Sequence, residues 1–127
     1  MDVRRELRAL LQEWDEILFS YLHGSFVEGL PYHDVDVAVY LRPEFLEQAD
    51  AFDYEMDLSA RLTRALHVPV DVHILNQAPL GFRHSVLKGE LLFTQDEELL
   101  TDCIEQAGWD YMQFVHHVRE YLFEVMS

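Results

Sequence analysis

Two aspartates one residue apart, Asp34 and Asp36, follow a Gly24-Ser25 pair across a turn-rich loop in LHGSFVEGLPYHDVDVAVYL, and a third, Asp71, lies in the later stretch VDVHI. Carboxylates gathered on one face suit hard divalent ions. Mg²⁺ takes octahedral oxygen ligation and shares its shell between carboxylates, water and substrate phosphates. Two such ions roughly 3.5 to 4 Å apart can activate an attacking oxygen and hold the leaving phosphates. Asp34 and Asp36 stand two apart at the start of an apolar alternation, so their side chains can fall on one side of a strand. Asp71 is flanked by Val70 and Val72, which claim a buried face; a carboxylate there needs a cation, hydrogen-bond donors or an edge position. The competing reading makes Asp34 a loop cap and leaves Asp36 and Asp71 at sheet edges. It is the better account of any one aspartate alone and the weaker account of all three.

Gly24-Ser25 supplies what carboxylates lack. Glycine admits close backbone approach and unusual torsions, and the next amide and the Ser25 hydroxyl can both donate to a phosphate oxygen. A two-residue motif means little by itself. Its weight comes from standing directly after an apolar run and one loop before the aspartates.

The elements that must position these groups are readable from periodicity. Residues 3 to 14 place Leu7, Leu10, Leu11 and Trp14 at helical spacing. ILFSYLHG reads as a buried strand ending at Gly24, and residues 36 to 41 as a second strand with Val37, Val39 and Leu41 on one side and Asp36, Ala38 and Tyr40 on the other. Pro43 opens a helix expected to reach about Leu66, with Phe45, Ala49, Phe52, Met56, Leu62 and Leu66 as its inner stripe. His67-Val68-Pro69 ends it. Val70 to Leu75 is a third strand, Pro79 to Leu87 a short helix, Leu91 to Phe93 a brief strand, and the chain is helical from Asp96 with a break or a tolerated glycine at Gly108. Helices interleaved with short apolar strands predict a two- or three-layer α/β fold, a single domain over 1–127 with a helical C-terminal segment at 96–127.

Composition narrows the function classes. Nine basic against 24 acidic residues give a formal charge of −15, a field that repels nucleic acid backbones and attracts cations or a basic protein partner. Many carboxylates, from Glu44 to Asp57, fall in one expected helix and read as a solvated or partner-facing surface. No apolar run approaches the roughly 18 residues of a membrane span, and MDVRRELRALL lacks a secretory apolar block, so the expected location is cytoplasmic. The lone cysteine, Cys103, excludes an internal disulfide and a cysteine zinc site.

The span LHGSFVEGLPYHDVDVAVYL resembles the signature of the DNA polymerase beta-like nucleotidyltransferase superfamily: a Gly-Ser pair, a loop, Asp-x-Asp, and a third acidic residue on a later strand. Within it the chain is most similar to the minimal nucleotidyltransferase antitoxins paired with HEPN-domain toxins. Size, helix-first order, the VDVHIL strand and the stretch FRHSVLKGELLFTQD agree, over most of residues 5 to 100. The resemblance implies a minimal polymerase beta-like fold, a small mixed sheet packed with helices. It assigns Gly24 and Ser25 to the triphosphate, Asp34 and Asp36 to metal binding, and Asp71 to the third carboxylate that also helps activate the incoming hydroxyl. It further implies Mg²⁺ as cofactor, ATP as nucleotidyl donor, transfer of AMP to a tyrosine of a HEPN RNase toxin, and a hetero-oligomer with that partner. The loop from Phe26 to His33 has eight residues, shorter than in those antitoxins, and Glu28 stands where they commonly carry arginine.

Other polar groups stand outside this signature. His116 and His117 are adjacent on a helix and point about 100° apart, unlike a helix-borne zinc pair. His73 shares a strand face with Asp71, His33 stands beside Asp34, and Arg83 and Lys88 are rare cations after the third strand. Arg83 could reach phosphates from the short helix, although an ordinary surface role is the better account of both cations. A non-enzymatic alternative keeps the fold and neutralises a toxin by direct binding, through the acidic surface and Tyr111, Phe114, Tyr121 and Phe123. An RNA-modifying transferase is disfavoured by the charge.

Overall fold

The computed structural model describes residues 2–29 and 34–126. Along the chain it forms α1 (Val3–Leu11), β1 (Ile17–His23), β2 (Val35–Leu41), α2 (Pro43–Gln48), α3 (Ala51–Leu66), β3 (Val70–Ile74), α4 (Leu80–Val86), β4 (Glu90–Thr94) and α5 (Glu97–Met126). The strands make one mixed sheet in the order β3-β2-β1-β4. β1 runs antiparallel to β2 and β4, while β2 and β3 are parallel.

Alternation in β2 sorts the two faces as expected. Val35, Val37, Val39 and Leu41 share a core with Leu7 and Leu11 of α1 and with Leu58, Leu62 and Leu66 of α3. Ala38 joins Phe19, Tyr21, Leu75, Val86 and Leu100 on the opposite face, under α4 and α5. A fully buried leucine or valine stabilises the fold by about 1.5–3 kcal/mol, so helices on both faces clamp the central strands. A bulge between Ile17 and Phe19 lets these two residues, though two apart, enter different cores.

The helix expected from Pro43 to about Leu66 is instead two helices. Ala49 is extended (φ −104°, ψ 151°), and the Asp50 carboxylate accepts a 2.9 Å bond from the Asp53 amide to cap α3. Such a cap satisfies an amide that would otherwise have no intrahelical partner and starts a new helix. The break moves the inner stripe. Phe52 and Met56 are 67% and 57% exposed, while Leu58, Leu62 and Leu66 face the core. At its far end α3 closes where expected, on His67 in the left-handed region (φ 58°). Gly108 does not interrupt α5.

β3 is an edge strand, and α3 satisfies its outward amides. The Val70 amide donates to Thr63 Oγ1 at 2.9 Å, the Val72 amide to Ser59 Oγ at 2.9 Å, and the Ile74 amide to a Glu55 carboxylate oxygen at 2.7 Å. Acceptors four apart on a helix advance about 6 Å, close to the two-residue repeat of a strand, so one side-chain row meets every second amide. Glu55 thus holds the strand that carries Asp71, although its sequence neighbours suggested a solvated face.

The first part of α5 packs through Leu100 and Ala107, and Tyr111 stacks on His84 of α4 with ring centroids 3.9 Å apart. Past that point Met112, Phe114, Tyr121, Phe123 and Val125 are exposed. Among the described residues no helix is long and apolar enough to cross a membrane.

Candidate active site

Three adjacent strands place three titratable side chains in a row. His23 of β1 is the cross-strand partner of Asp36 on β2, and Asp36 is the partner of Asp71 on β3. Directly opposed residues share a sheet face, the face covered further along by α4 and α5. His73, opposite Ala38, adds a fourth group: its Nε2 lies 3.0 Å from Asp71 Oδ2. One oxygen each from Asp36 and Asp71 and one His73 nitrogen lie within 4.8 Å of one another.

Gly24 follows His23 directly and is held at φ +80°. A Cβ built there would sit 2.5 Å from Asp36 Oδ2. The position therefore requires glycine twice over, for its torsion and for the closeness of the carboxylate. The Glu28 amide bonds back to the Gly24 carbonyl at 3.3 Å, so a helical turn begins here. Amides at the start of such a turn have no acceptor within it, and Ser25 lies among them.

Burial raises the pKa of Asp36; the negative charge of Asp71 adds to this, the nearby His73 opposes it, and Asp34 contributes further repulsion. Asp34 is exposed at the bend before β2. Its charge is felt by Asp36, while the converging donor set is Asp36, Asp71 and His73. Two mutually repelling carboxylates with an imidazole alongside are a donor set that a divalent cation fits, since its charge removes the repulsion that now favours protonation.

His23 is a member of the site that the sequence pattern did not single out. Burial, then the neighbouring His73, lower its pKa to about 4, against a raising influence from Asp71. Its buried Nε2 has no hydrogen-bond partner among the described residues. Phe82 of α4 meets both His23 and His73 edge-on, with centroids at 5.4 and 5.6 Å, and so roofs the pair. The available signal was the strand alternation, which puts His23 in line with Phe19 and Tyr21.

Two clefts flank the carboxylates. One of about 400 Å³ beside His73 is lined by Leu46, Ile74, Ala78, Pro79 and Phe82. The other, about 230 Å³, lies between Gly24, Val27 and Glu28 on one side and Ser85 and Lys88 on the other. Arg83 lines a different cavity with Asp102 and Gln106, and its buried Nε has no partner among the described residues. His33 lies outside the described residues.

A family model described as "Polymerase beta, Nucleotidyltransferase" matches residues 5–98. None of the curated proteins compared with the chain matches it. Among solved structures the chain is similar to a toxin-antitoxin with AMP-PNP, at TM-score 0.74 and 18% identity over 100% of both chains. It is similar to the toxin-antitoxin MntA-HepT, at TM-score 0.72 and 18% identity over 98% of this chain and 97% of that one. A third is the tri-AMPylated Shewanella oneidensis HEPN toxin in complex with MNT antitoxin, at TM-score 0.72 and 20% identity over 98% and 97% of the two chains. At these identities the likeness is one of fold.

Proposed function

Because the chain belongs to the polymerase beta nucleotidyltransferase family, we propose that it is a Mg²⁺-dependent protein adenylyltransferase, moving AMP from ATP to a tyrosine of a cognate HEPN RNase toxin and so neutralising it. The observation that carries this reading is the pairing of Asp36 with Asp71 on one sheet face, beside a glycine turn open to phosphates. Similarity in fold to the AMP-PNP and tri-AMPylated toxin complexes supports it. We read residues 1–127 as one such domain, acting in the cytoplasm.

Asp36 and Asp71, with Asp34 at the foot of β2, would hold Mg²⁺, which when bound neutralises phosphate charge as the leaving group departs. Gly24 and Ser25 bind the triphosphate through a backbone amide and a hydroxyl. Asp71 orients the tyrosine hydroxyl and accepts its proton while the oxygen bonds to the α-phosphorus and the bond to the pyrophosphate oxygen breaks. His73, 3.0 Å from Asp71 Oδ2, orients that carboxylate between the cation and the hydroxyl. The apolar cleft beside His73 receives the acceptor ring. The reaction needs in-line placement and no covalent protein nucleophile. The charge of −15 speeds encounter with a basic toxin, and the exposed apolar side chains of α5 supply lasting contact.

Intact-mass analysis of the partner after incubation with ATP and Mg²⁺ tests the reading. One or more added AMP groups are expected, lost with Asp36→Asn or Asp71→Asn. A second reading, a weak or inactive transferase that neutralises by binding, is favoured by Glu28, an anion lining the cleft beside Gly24. Unchanged partner mass with full neutralisation by both variants would establish it instead.

A further inference from the structure

We infer that Lys88, with Ser85 beside it, is the polyphosphate-binding cation of this chain, facing the Gly24 turn from the opposite wall of the smaller cleft. The inference rests on the nucleotide-binding reading above and names a residue for it. Lys88 is the single lysine in 127 residues. Four of the eight arginines have local occupations: Arg4 pairs with Glu90, Arg42 with Asp15 and Arg61 with Asp57, while Arg8 donates to the Leu92 carbonyl; Arg83 lines a different cavity. No ion pair among the described residues engages Lys88, whose side chain is exposed.

The backbone holds Lys88 at this wall. Its amide donates to the Ser85 carbonyl at 3.3 Å, and the Gly89 amide to the Val86 carbonyl at 2.8 Å, closing the turn after α4. A Cβ at Gly89 would run into the carbonyl of Leu22, and Glu90 is the cross-strand partner of Leu22. The turn therefore lies directly on the end of β1, and Lys88 and Ser85 border the same space as His23 and Gly24. Gly24 in turn abuts Asp36 Oδ2, so a polyphosphate whose α-phosphorus is near the carboxylates can extend toward Lys88. An ammonium with three rotatable donors suits phosphate oxygens. Glu28 on the facing wall repels the same phosphates, which makes the Lys88 charge decisive there.

The test is titration of the full chain with ATP and, separately, AMP, both in Mg²⁺. Lys88→Gln is expected to weaken ATP binding about tenfold, the value of one charge-assisted hydrogen bond, and to leave AMP binding unchanged. Lys88→Arg should retain most of the ATP affinity. Glu28→Arg placed in the Lys88→Gln background should recover it, a coupling that damage to the fold would not produce. Unaltered ATP binding by Lys88→Gln, or equal loss for ATP and AMP at an unchanged melting temperature, overturns the inference while the transferase reading stands. A wild-type chain that binds no ATP overturns both. ATP bearing an acyl group on its terminal phosphate gives an independent readout: acylation of Lys88, suppressed by excess ATP, is expected, and labelling that ATP does not suppress counts against the placement.

Discussion

Asp36 and Asp71 are direct partners across the parallel β2–β3 pair, the one junction in the sheet where neighbouring strands run the same way. Their like charges oppose each other, and burial makes Asp36 harder still to ionise. The folded chain holds a proton on Asp36 more readily than the unfolded chain does. The metal-free fold is therefore favoured below the ordinary carboxylate range and loses that advantage as pH rises through the raised Asp36 value. Asp36→Asn removes the penalty. In chelator at neutral pH this variant should melt above the wild type, and with Mg²⁺ and ATP supplied it should lack the proposed AMP transfer. A lower melting temperature would show that the carboxylate pair is not a site of stored repulsion.

Added Mg²⁺ should separate the two proteins by the size of its effect. It should raise the wild-type melting temperature with a concentration dependence set by its affinity, since a ligand bound only to the folded state stabilises it. The effect should be small in Asp36→Asn and should fade in the wild type on acidification, as protons compete for the carboxylates. Equal shifts in both would place Mg²⁺ elsewhere on an acidic surface.

His23 contributes a pH dependence of the reverse sign. Its pKa is lowered to about 4 by burial first and by His73 second, so between about 6.5 and 4 the unfolded chain binds a proton that the folded chain refuses. The stabilisation it provides is fully present above the unfolded value and is lost as pH falls through about 4. Because Asp36 works the other way in acid, the informative quantity is the difference between the wild type and His23→Leu. That difference should move in favour of the variant on acidification, read from thermal melts between pH 7 and 4; a pH-independent difference would remove His23 as the cause.

Much of this site was legible because strands declare their faces two residues at a time. The alternation of Val37, Val39 and Leu41 against Asp36, Ala38 and Tyr40 predicted which way Asp36 points, and the structure sorts these residues into the same two sets. His23 was passed over because it ends an unbroken apolar run in which no polar alternation stands out. The division between α2 and α3 was hidden for another reason: Asp50 reads as one more surface acid until its carboxylate is seen to cap a helix. Glu55 could not be read at all from its neighbours, since its partner, the Ile74 amide, is 19 positions away.

That non-local row gives a prediction about stability. Ser59 accepts from the Val72 amide at 2.9 Å on the edge strand that carries Asp71 and His73. Ser59→Ala leaves the amide without that acceptor, at a cost of about 1–2 kcal/mol, or roughly 4–8 °C in melting temperature for a chain of this size. Ser59→Thr keeps the hydroxyl and should cost less. Equal stability of all three proteins in thermal melts would show that water replaces the side chain there.

The last part of α5 should be separable from the fold. The helix has 30 residues, about 45 Å at the usual rise, and its buried residues, Leu100 and Ala107, lie in the first half. After Tyr111 meets His84, the continuing apolar positions Met112, Phe114, Tyr121 and Phe123 are exposed, at 55–77%. Large aromatic side chains left in water on a projecting helix are the type that anchor protein interfaces. Phe114→Ser with Phe123→Ser should therefore leave the melting temperature within about 2 °C, as surface changes away from packed groups do, yet weaken the complex with the proposed HEPN partner by at least about tenfold. Co-elution of the pair on size exclusion, run at low and high salt, supplies the measurement. Wild-type binding by the double variant would assign the lasting contact to another surface, and a large fall in melting temperature would show that this half of α5 packs on the domain after all.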